Sequence, residues 1–515
     1  MATPGEKLAA SLEVLQKLQD KKIIAIKATD LSRLHKERLL KQGFIREVFK
    51  GWYLSVPPDE KKGDSTSWYT SYWDFCSRYL QDRYGEDYWI SADQSLLIHA
   101  GNDAVPHQMM IRSTKGNNSL TSLLFGTSLF TMKSELSELE TVEIHKGLHI
   151  LNLTSAIVYC SPSLFTSNPI EVRTAFSLIH DASPLLALLL DGGHALKAGR
   201  IVGAFRNIGQ VKVADTILKT MKTAGYDVRE VDPFEEKTGI SLSSRERSPY
   251  VNRIRLMWQE MRKTVIAVFP KAAGLPIDKI TYLKQIEEIY TTDAYHSLSI
   301  EKYRVSPELI ERVRSGEWNI QENEADKKQC DAMAARGYWQ AFNSVKESVI
   351  RIVAGENAGK VADDTHGDWY RELFAPSVVV GLLKPSDLAG YRNHQVYIGQ
   401  SKHVPINKEA ISDVMRVLFQ LLEEEEEASV RAVLGHFIFV YIHPYMDGNG
   451  RIGRFLMNVM LSSGGYPWTV IPVEDRATYM NTLEQASVGH NIAPFAKFIG
   501  YLVEASINGN PVARI

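Results

Sequence analysis

Cysteine is scarce in this chain: 3 in 515 residues, at Cys76, Cys160 and Cys330, far apart and without metal-ligand spacing. An odd, sparse set argues against a disulfide scaffold and suits a reducing cytoplasm, the compartment expected here. Long apolar runs are lacking too. The nearest, "LIHDASPLLALLLDGG", is short and interrupted, so neither a membrane span nor a membrane partner is expected. The start, "MATPGEKLAASLEVLQKLQDKK", is amphipathic rather than continuously apolar, which argues against a signal peptide. Charge of one sign is also missing. A formal net charge of −2 makes no global case for nucleic acid, so any basic surface has to be local. No internal repeat is visible. What remains is an ordinary globular composition, 44% hydrophobic and 23% charged. The length suits roughly two to four domains.

The first segment carries two helical patterns. "KLAASLEVLQKLQ" and "LSRLHKERLLKQGFI" both have apolar residues at helical spacing, the second beside Arg33, Lys36, Arg38 and Lys41. "IREVFKGWYLSVP" alternates as a short hairpin does, with Gly51 at its turn. Helices followed by a basic hairpin predict a winged helix-turn-helix over residues 1–60, with DNA as its partner. The same cations also fit the solvated face of an amphipathic helix. Residues 61–235 read as α/β. "YWISADQSLLIHAG" and "QMMIRSTKG" look β-rich, and "ALKAGRIVGAFRNIGQVKVADTILKTMKTAGYDVREVDPFE" looks like a helical hairpin. Three stretches, "LSRLHKERLLKQGFIREVFKGWYLSV", "SADQSLLIHAG" and "AGRIVGAFRNIGQVKVADTILKTMKTAGYDVRE", make the first 235 residues resemble the AbiEi type of bacterial antitoxin and transcriptional regulator.

"EEKTGISLSSRERSP" is polar and reads as a linker. Beyond it nearly everything reads helical: residues 245–329 as a helical connection and 330–510 as a domain. The exception is "GYRNHQVYIGQSKHVPI", whose alternation with Gly399 and Pro405 predicts a hairpin. "LLEEEEEASV" reads as a solvated helix face.

Most of the chemistry is concentrated in "HPYMDGNGRIGR", His443 to Arg454. The apolar run "ASVRAVLGHFIFVYI" precedes it and suits a buried helix. "RIGRFLMNVMLSSGG" follows with helical spacing and a glycine stop, so the motif is a tight loop between helices. Successive backbone N–H groups in a glycine-rich turn at a helix N-terminus form an anion site. Gly448 and Gly450 let the backbone approach a phosphate closely. Arg451 and Arg454, three apart, share a helix face and could clamp two phosphates. Asp447 could hold Mg²⁺ bridging phosphates, and His443 stands where it could take the proton of an attacking hydroxyl. No Lys-Ser/Thr follows the glycines, which excludes a Walker A loop. Arg451 occupies a position where an EF-hand needs an oxygen ligand.

The string is similar to the Fic-domain signature, His-Pro-Phe-x-Asp/Glu-Gly-Asn-Gly-Arg-x-x-Arg, with Tyr445 in the Phe position. The resemblance extends over residues 330 to 505 through "WYRELFAP", "LAGYRNHQVYIGQSKHVPI" and "RATYMNTLEQASVGHNIAPFAKFI". It implies a mainly α-helical Fic core with a β-hairpin flap. It also implies transfer of AMP from ATP to a Ser, Thr or Tyr hydroxyl of a target protein, the chain itself included. His443 would be the general base and Asp447 the Mg²⁺ ligand. Asn449, Arg451 and the backbone of Gly448 and Gly450 would hold the α- and β-phosphates, and Arg454 the γ-phosphate. The segment containing Val396, Tyr397, Ile398 and Gly399 would be the flap that docks the target by β-augmentation. Tyr479 and Met480 would line the adenine pocket. A histidine near its ordinary pKa would suit base catalysis at neutral pH.

Many Fic proteins also carry an inhibitory helix with the pattern Ser/Thr-x-x-x-Glu-Gly/Asn. In "YHSLSIEKYRVSPELIERVRSG", Ser297 and Glu301 stand at that spacing, on one helical face. The resemblance implies that Glu301 pairs with Arg454 and denies the γ-phosphate its seat. Lys302 replaces the Gly/Asn, so the helix end is expected to form differently. Alternative readings are a DNA-binding regulator in which the Fic core acts as a sensor, removal of AMP by the same site, and another nucleotide donor. Homo-oligomerisation is compatible with all of them.

Overall fold

The computed structural model describes residues 3–61, 63–136, 141–235, 248–316 and 330–515. The polar stretch expected as a linker lies, over 236–247, outside the described residues. The chain divides into two compact units: Met1–Arg253 with Tyr397–Val404, and Ile254–Val396 with Pro405–Ile515.

In the first unit, strands β1 (Ala25–Lys27), β2 (Ile45–Phe49) and β3 (Trp52–Ser55) form an antiparallel sheet in the order β1-β3-β2. The helix Pro4–Asp20 precedes it, started by a capping box in which Thr3 and Glu6 satisfy each other's backbone N–H groups. The helix Arg33–Lys41 falls between β1 and β2, and Leu15, Ile26, Leu39, Ile45 and Tyr53 share one small core. Gly51 turns the β2–β3 hairpin at φ +87°, a conformation glycine adopts without steric cost. Next come β4 (Trp89–Ile90), β5 (Gln108–Ser113), β6 (Ser119–Ser122) and β7 (Ser128–Lys133), a mixed sheet ordered β4-β5-β7-β6. A hairpin of β8 (Val142–His145) and β9 (Leu148–Leu151) follows. The β-rich expectation fails for much of "YWISADQSLLIHAG": only Trp89–Ile90 is strand, and Ala92–His99 is helix. Ser91 explains the switch, since its side chain accepts from Gln94 N and starts the helix. The helical hairpin is present as Ala195–Asn207 and Val211–Thr223.

The second unit is built of helices. Ala428–Ile442 is apolar on most of its circumference, Arg431 being its one charged residue, and it is buried along nearly its whole length. It packs against Asn449–Ser462, and the connection between them is the His443 loop. Cys330–Ala354 and Ala358–Val379 pack on each other, and Lys279–Ile300 packs against both Cys330–Ala354 and Asn449–Ser462. Two expectations fail here. The acidic run is not one solvated helix face, because helices end at Glu424 and restart at Ala428. Between them Glu425 is buried, accepting from Arg262 Nε at 2.8 Å, Arg262 Nη2 at 2.8 Å and Trp258 Nε1 at 3.1 Å. A buried carboxylate without such partners would not stay charged. The second failure is the hairpin over 396–405, where no strand forms. Pro405 has no N–H to give a ladder, and Gln400 turns at φ +64°. Gln395 Nε2 closes the base of the loop instead, donating to Pro405 O at 2.9 Å. Among the described residues, no helix is long and apolar enough to cross a membrane.

Candidate active site

His443 ends the buried helix Ala428–Ile442 in the left-handed region, at φ +55°, with its N–H bonded to Phe439 O at 3.0 Å. Pro444 then prevents the helix from continuing. Holding a non-glycine residue there costs about 1 kcal/mol, a local strain of the kind found at working sites. The His443 Nδ1 lies 3.2 Å from Val440 O. A carbonyl only accepts, so Nδ1 carries the proton and Nε2 presents its lone pair. Burial pushes the imidazole pKa down to about 4, aided by Arg392 and opposed by the Val440 carbonyl, Glu301 and Asp447. The expectation of an ordinary histidine pKa is therefore corrected: the half-buried ring favours its neutral form.

The loop is locked by its own asparagine. Tyr445 N donates to Asn449 Oδ1 at 2.9 Å, and Asn449 Nδ2 donates back to Tyr445 O at 2.9 Å. The Asn449 side chain, expected as a phosphate ligand, closes the turn with one bond at each end of its amide. Tyr445 is buried and stacks on Tyr370, with ring centroids 3.9 Å apart. Gly448 caps the next helix at φ +79°, and a Cβ there would lie 2.8 Å from the Phe374 ring. Only glycine fits both demands.

Arg451, on the first turn of Asn449–Ser462, is buried between two rings, Tyr303 at 5.1 Å and Phe374 at 5.0 Å from its guanidinium carbon. Its Nη2 reaches Asp447 Oδ2 at 3.4 Å. Asp447 keeps 69% of its side-chain exposure while its Oδ1 accepts from Gly448 N at 2.6 Å. An exposed carboxylate beside an anion site fits Mg²⁺, which takes one or two protein carboxylates and substrate phosphates rather than a protein cage. Among the described residues no cluster of three or more His, Cys, Asp or Glu side chains offers such a cage.

Arg454, one turn further on, is buried and already engaged. Its Nε donates to Ser297 Oγ at 2.9 Å, and its Nη2 to Ser297 O at 3.0 Å and to Glu301 Oε1 at 2.8 Å. The carboxylate lies against Gly450, where a Cβ would come within 2.3 Å of Glu301 Oε1. Glu301 thus sits at the N-terminal end of Asn449–Ser462, a place favourable for any anion. Burial alone would raise the Glu301 pKa, but the charges of Arg454 and then Arg451, with the Arg454 hydrogen bond, hold it below the ordinary value. Glu301 in turn keeps Arg454 protonated despite burial. Arg451 Nε and Arg454 Nη1 are buried donors with no hydrogen-bond partner among the described residues. Leftover donors at such a place are what a phosphate would satisfy.

The helix bearing Ser297 and Glu301 ends in a Schellman motif: Lys302 N donates to Ser299 O at 2.9 Å and Tyr303 N to Leu298 O at 3.1 Å. Lys302 itself adopts φ +70°. The expectation of a differently formed helix end is therefore corrected, since lysine occupies the left-handed position that Gly or Asn favours. Arg476 Nε completes the end by donating to Ile300 O at 2.7 Å.

Three groups of expected residues separate. His443, Asp447, Gly448, Asn449, Gly450, Arg451, Arg454, Ser297 and Glu301 are brought together. Tyr479 is a core residue, 1% exposed, with its hydroxyl on His436 Nε2 at 2.8 Å and its ring near Phe495. The adenine-pocket expectation for Tyr479 thus falls on a buried ring whose hydroxyl already has a partner. Met480, its neighbour, is half-buried. Of the flap residues, Val396 falls in the second unit, while Tyr397, Ile398 and Gly399 group with the first. There Gln400 N donates to Thr66 Oγ1 at 3.1 Å and Val105 N to Lys402 O at 2.9 Å. Three contributors escaped sequence reasoning: Tyr303, Arg476 and Arg392. Arg392 in "GYRNH" had a readable signal, a lone cation ahead of an otherwise apolar alternation.

Residues 366–461 match the family model described as Fic/DOC. Protein adenylyltransferase Fic of Nematostella vectensis is 26% identical over 272 residues, 52% of this chain and 59% of that protein. Protein adenylyltransferase Fic of Drosophila virilis is 36% identical over 134 residues, 25% of this chain and 27% of the relative. A solved structure, Fic-1 of Caenorhabditis elegans, aligns at TM-score 0.38 and 17% identity, covering 70% of this chain and 90% of that one. The match thus spans about three fifths of the length of the first curated relative and about a quarter of the second.

Proposed function

We propose that this chain is an autoinhibited protein adenylyltransferase, transferring AMP from ATP to a Ser, Thr or Tyr hydroxyl of a protein. The observation that carries this reading is the sharing of Arg454: it lies in the same loop-and-helix as His443, and Ser297 and Glu301 hold it. The names of the curated relatives support the same chemistry. His443 Nε2 takes the proton from the target hydroxyl, and the hydroxyl oxygen bonds to the α-phosphorus. The bond from that phosphorus to the bridging oxygen breaks, and pyrophosphate leaves. The proton on His443 passes to solvent. Arg451, Arg454 and the N-terminal backbone of Asn449–Ser462 stabilise the phosphate charge, the largest contribution expected in such transfers. Asp447 would hold Mg²⁺, which neutralises phosphate charge when bound. Glu301 occupies the anion seat in the resting state, so ATP has to displace it to place its γ-phosphate on Arg454.

Incubation with labelled ATP and Mg²⁺ tests the reading. Label on the chain or on lysate proteins is expected to rise in Glu301→Gly and to vanish in Glu301→Gly/His443→Ala. Equal labelling in native protein and Glu301→Gly would sink the brake. Label from UTP but not ATP would replace the donor, and loss of AMP from pre-labelled protein would favour the reverse reaction.

A second reading concerns residues 1–60. A helix between β1 and β2 of a β1-β3-β2 sheet, with Arg33 86% exposed at its start, supports a winged-helix contact with DNA. Binding of the full chain to its own upstream DNA, weakening steeply with salt, is the expected outcome. No binding at low salt would reject it.

A further inference from the structure

We propose that Arg392 is a positioning residue for His443, tying the backbone of the base to both feet of the loop that would receive the target segment. The proposal rests on the adenylyltransferase reading and adds a residue to it. Arg392 is 4% exposed. Its Nε donates to His443 O at 2.8 Å, its Nη1 to His394 O at 2.9 Å, and its Nη2 to Ile406 O. Its backbone N–H donates to Pro444 O at 2.8 Å.

Burying a guanidinium is costly, and such cations are ordinarily paired with a carboxylate. Arg392 has no ion pair among the described residues, and its side-chain hydrogen bonds there go to carbonyl oxygens. Burial depresses its pKa to about 10, with only Glu409 opposing. The position of these carbonyls gives the cost a purpose. His443 O lies just past the C-terminus of Ala428–Ile442, where carbonyls lack helical partners and the helix dipole favours a cation. His394 and Ile406 flank the segment 395–405 whose tip is the proposed flap. A planar fork with donors in fixed directions holds three carbonyls in one geometry, which a flexible ammonium does not. Movement of either foot is thereby passed to the backbone of a residue held at φ +55°. The ATP-binding residues 447–454 lie outside this grip, so Arg392 acts on the base and not on nucleotide affinity.

The test uses the full chain carrying Glu301→Gly as parent, with Arg392→Ala and Arg392→Lys added. Self-labelling rate at saturating ATP, ATP affinity by calorimetry and melting temperature are measured. Arg392→Ala is expected to slow labelling roughly tenfold or more, as a misplaced catalytic group does, with ATP affinity within about twofold of the parent. Millimolar ethylguanidinium is expected to restore part of the rate, and Arg392→Lys to remain slow. An unchanged rate in a folded Arg392→Ala protein overturns the proposal. So does a parallel loss of rate, ATP affinity and melting temperature without guanidinium rescue, which describes a residue needed only for folding. If the parent itself takes no label, the adenylyltransferase reading fails and the positioning role falls with it; a labelled parent with an indifferent Arg392 removes the positioning role alone.

Discussion

At the scale of single residues, specific side-chain hydrogen bonds hold the loop in place. Asn449 spends both ends of its amide on Tyr445, so Asn449→Ala should leave two buried backbone groups unpaired. A loss of roughly 2–4 kcal/mol is expected in denaturant unfolding, with transfer impaired as well. Titration follows from two neighbours. The His443 pKa is pushed down to about 4, so the imidazole stays neutral well below the ordinary value of 6.5. The pH–rate profile of Glu301→Gly should therefore lack a histidine limb near 6.5; such a limb would contradict the burial of this ring. Glu301 is shifted the same way for a different reason. Because its folded-state pKa is lowered, its pairing with Arg454 is fully present above the ordinary 4.5 and is lost only as pH falls through the lowered value. The rate ratio of Glu301→Gly to native protein should then be flat from neutrality to mildly acid pH, measured by labelling in a constant-ionic-strength buffer.

At the scale of elements, the helix Lys279–Ile300 behaves as a bolt with a strained end. Lys302 sits in the left-handed C′ position, where a Cβ costs about 1 kcal/mol and glycine costs nothing of the kind. Lys302→Gly is expected to raise the melting temperature slightly and lower basal labelling, because the helix end that carries Glu301 becomes easier to hold. Arg476→Ala should do the opposite, since Ile300 O loses its cap. Both helices around the loop, and the Ser297–Glu301 spacing, were legible in the sequence because each is a local pattern. The failures share a cause as well. Even the protein partners of Tyr479 and Asn449, His436 and Tyr445, can be assigned only after chain packing is known. The stretch 396–405 alternates like a strand but has no ladder partner, and alternation cannot supply one. Glu425 reads as one more solvated glutamate until Arg262, more than 160 residues earlier, arrives beside it.

At the scale of the whole molecule, the proposed function sets one internal anion, Glu301, against one external one, ATP, for Arg454. Under the proposed function, ATP binding displaces Glu301, so part of its affinity is spent on opening the site and the apparent affinity of the native chain is reduced by the closed fraction. The same linkage predicts that saturating ATP raises the melting temperature of Glu301→Gly more than that of native protein at equal concentration. The 515-residue chain also holds a first unit whose small sheet and basic helix Arg33–Lys41 await a DNA test of their own. The central claim meets its most direct test in calorimetric titration of ATP·Mg²⁺ into native full-length protein and Glu301→Gly. Tighter binding by about tenfold or more in the variant, with nucleotide specificity unchanged, is the predicted result. Equal dissociation constants in the two proteins would contradict it, because Arg454 would then be as free for phosphate with Glu301 present as without it.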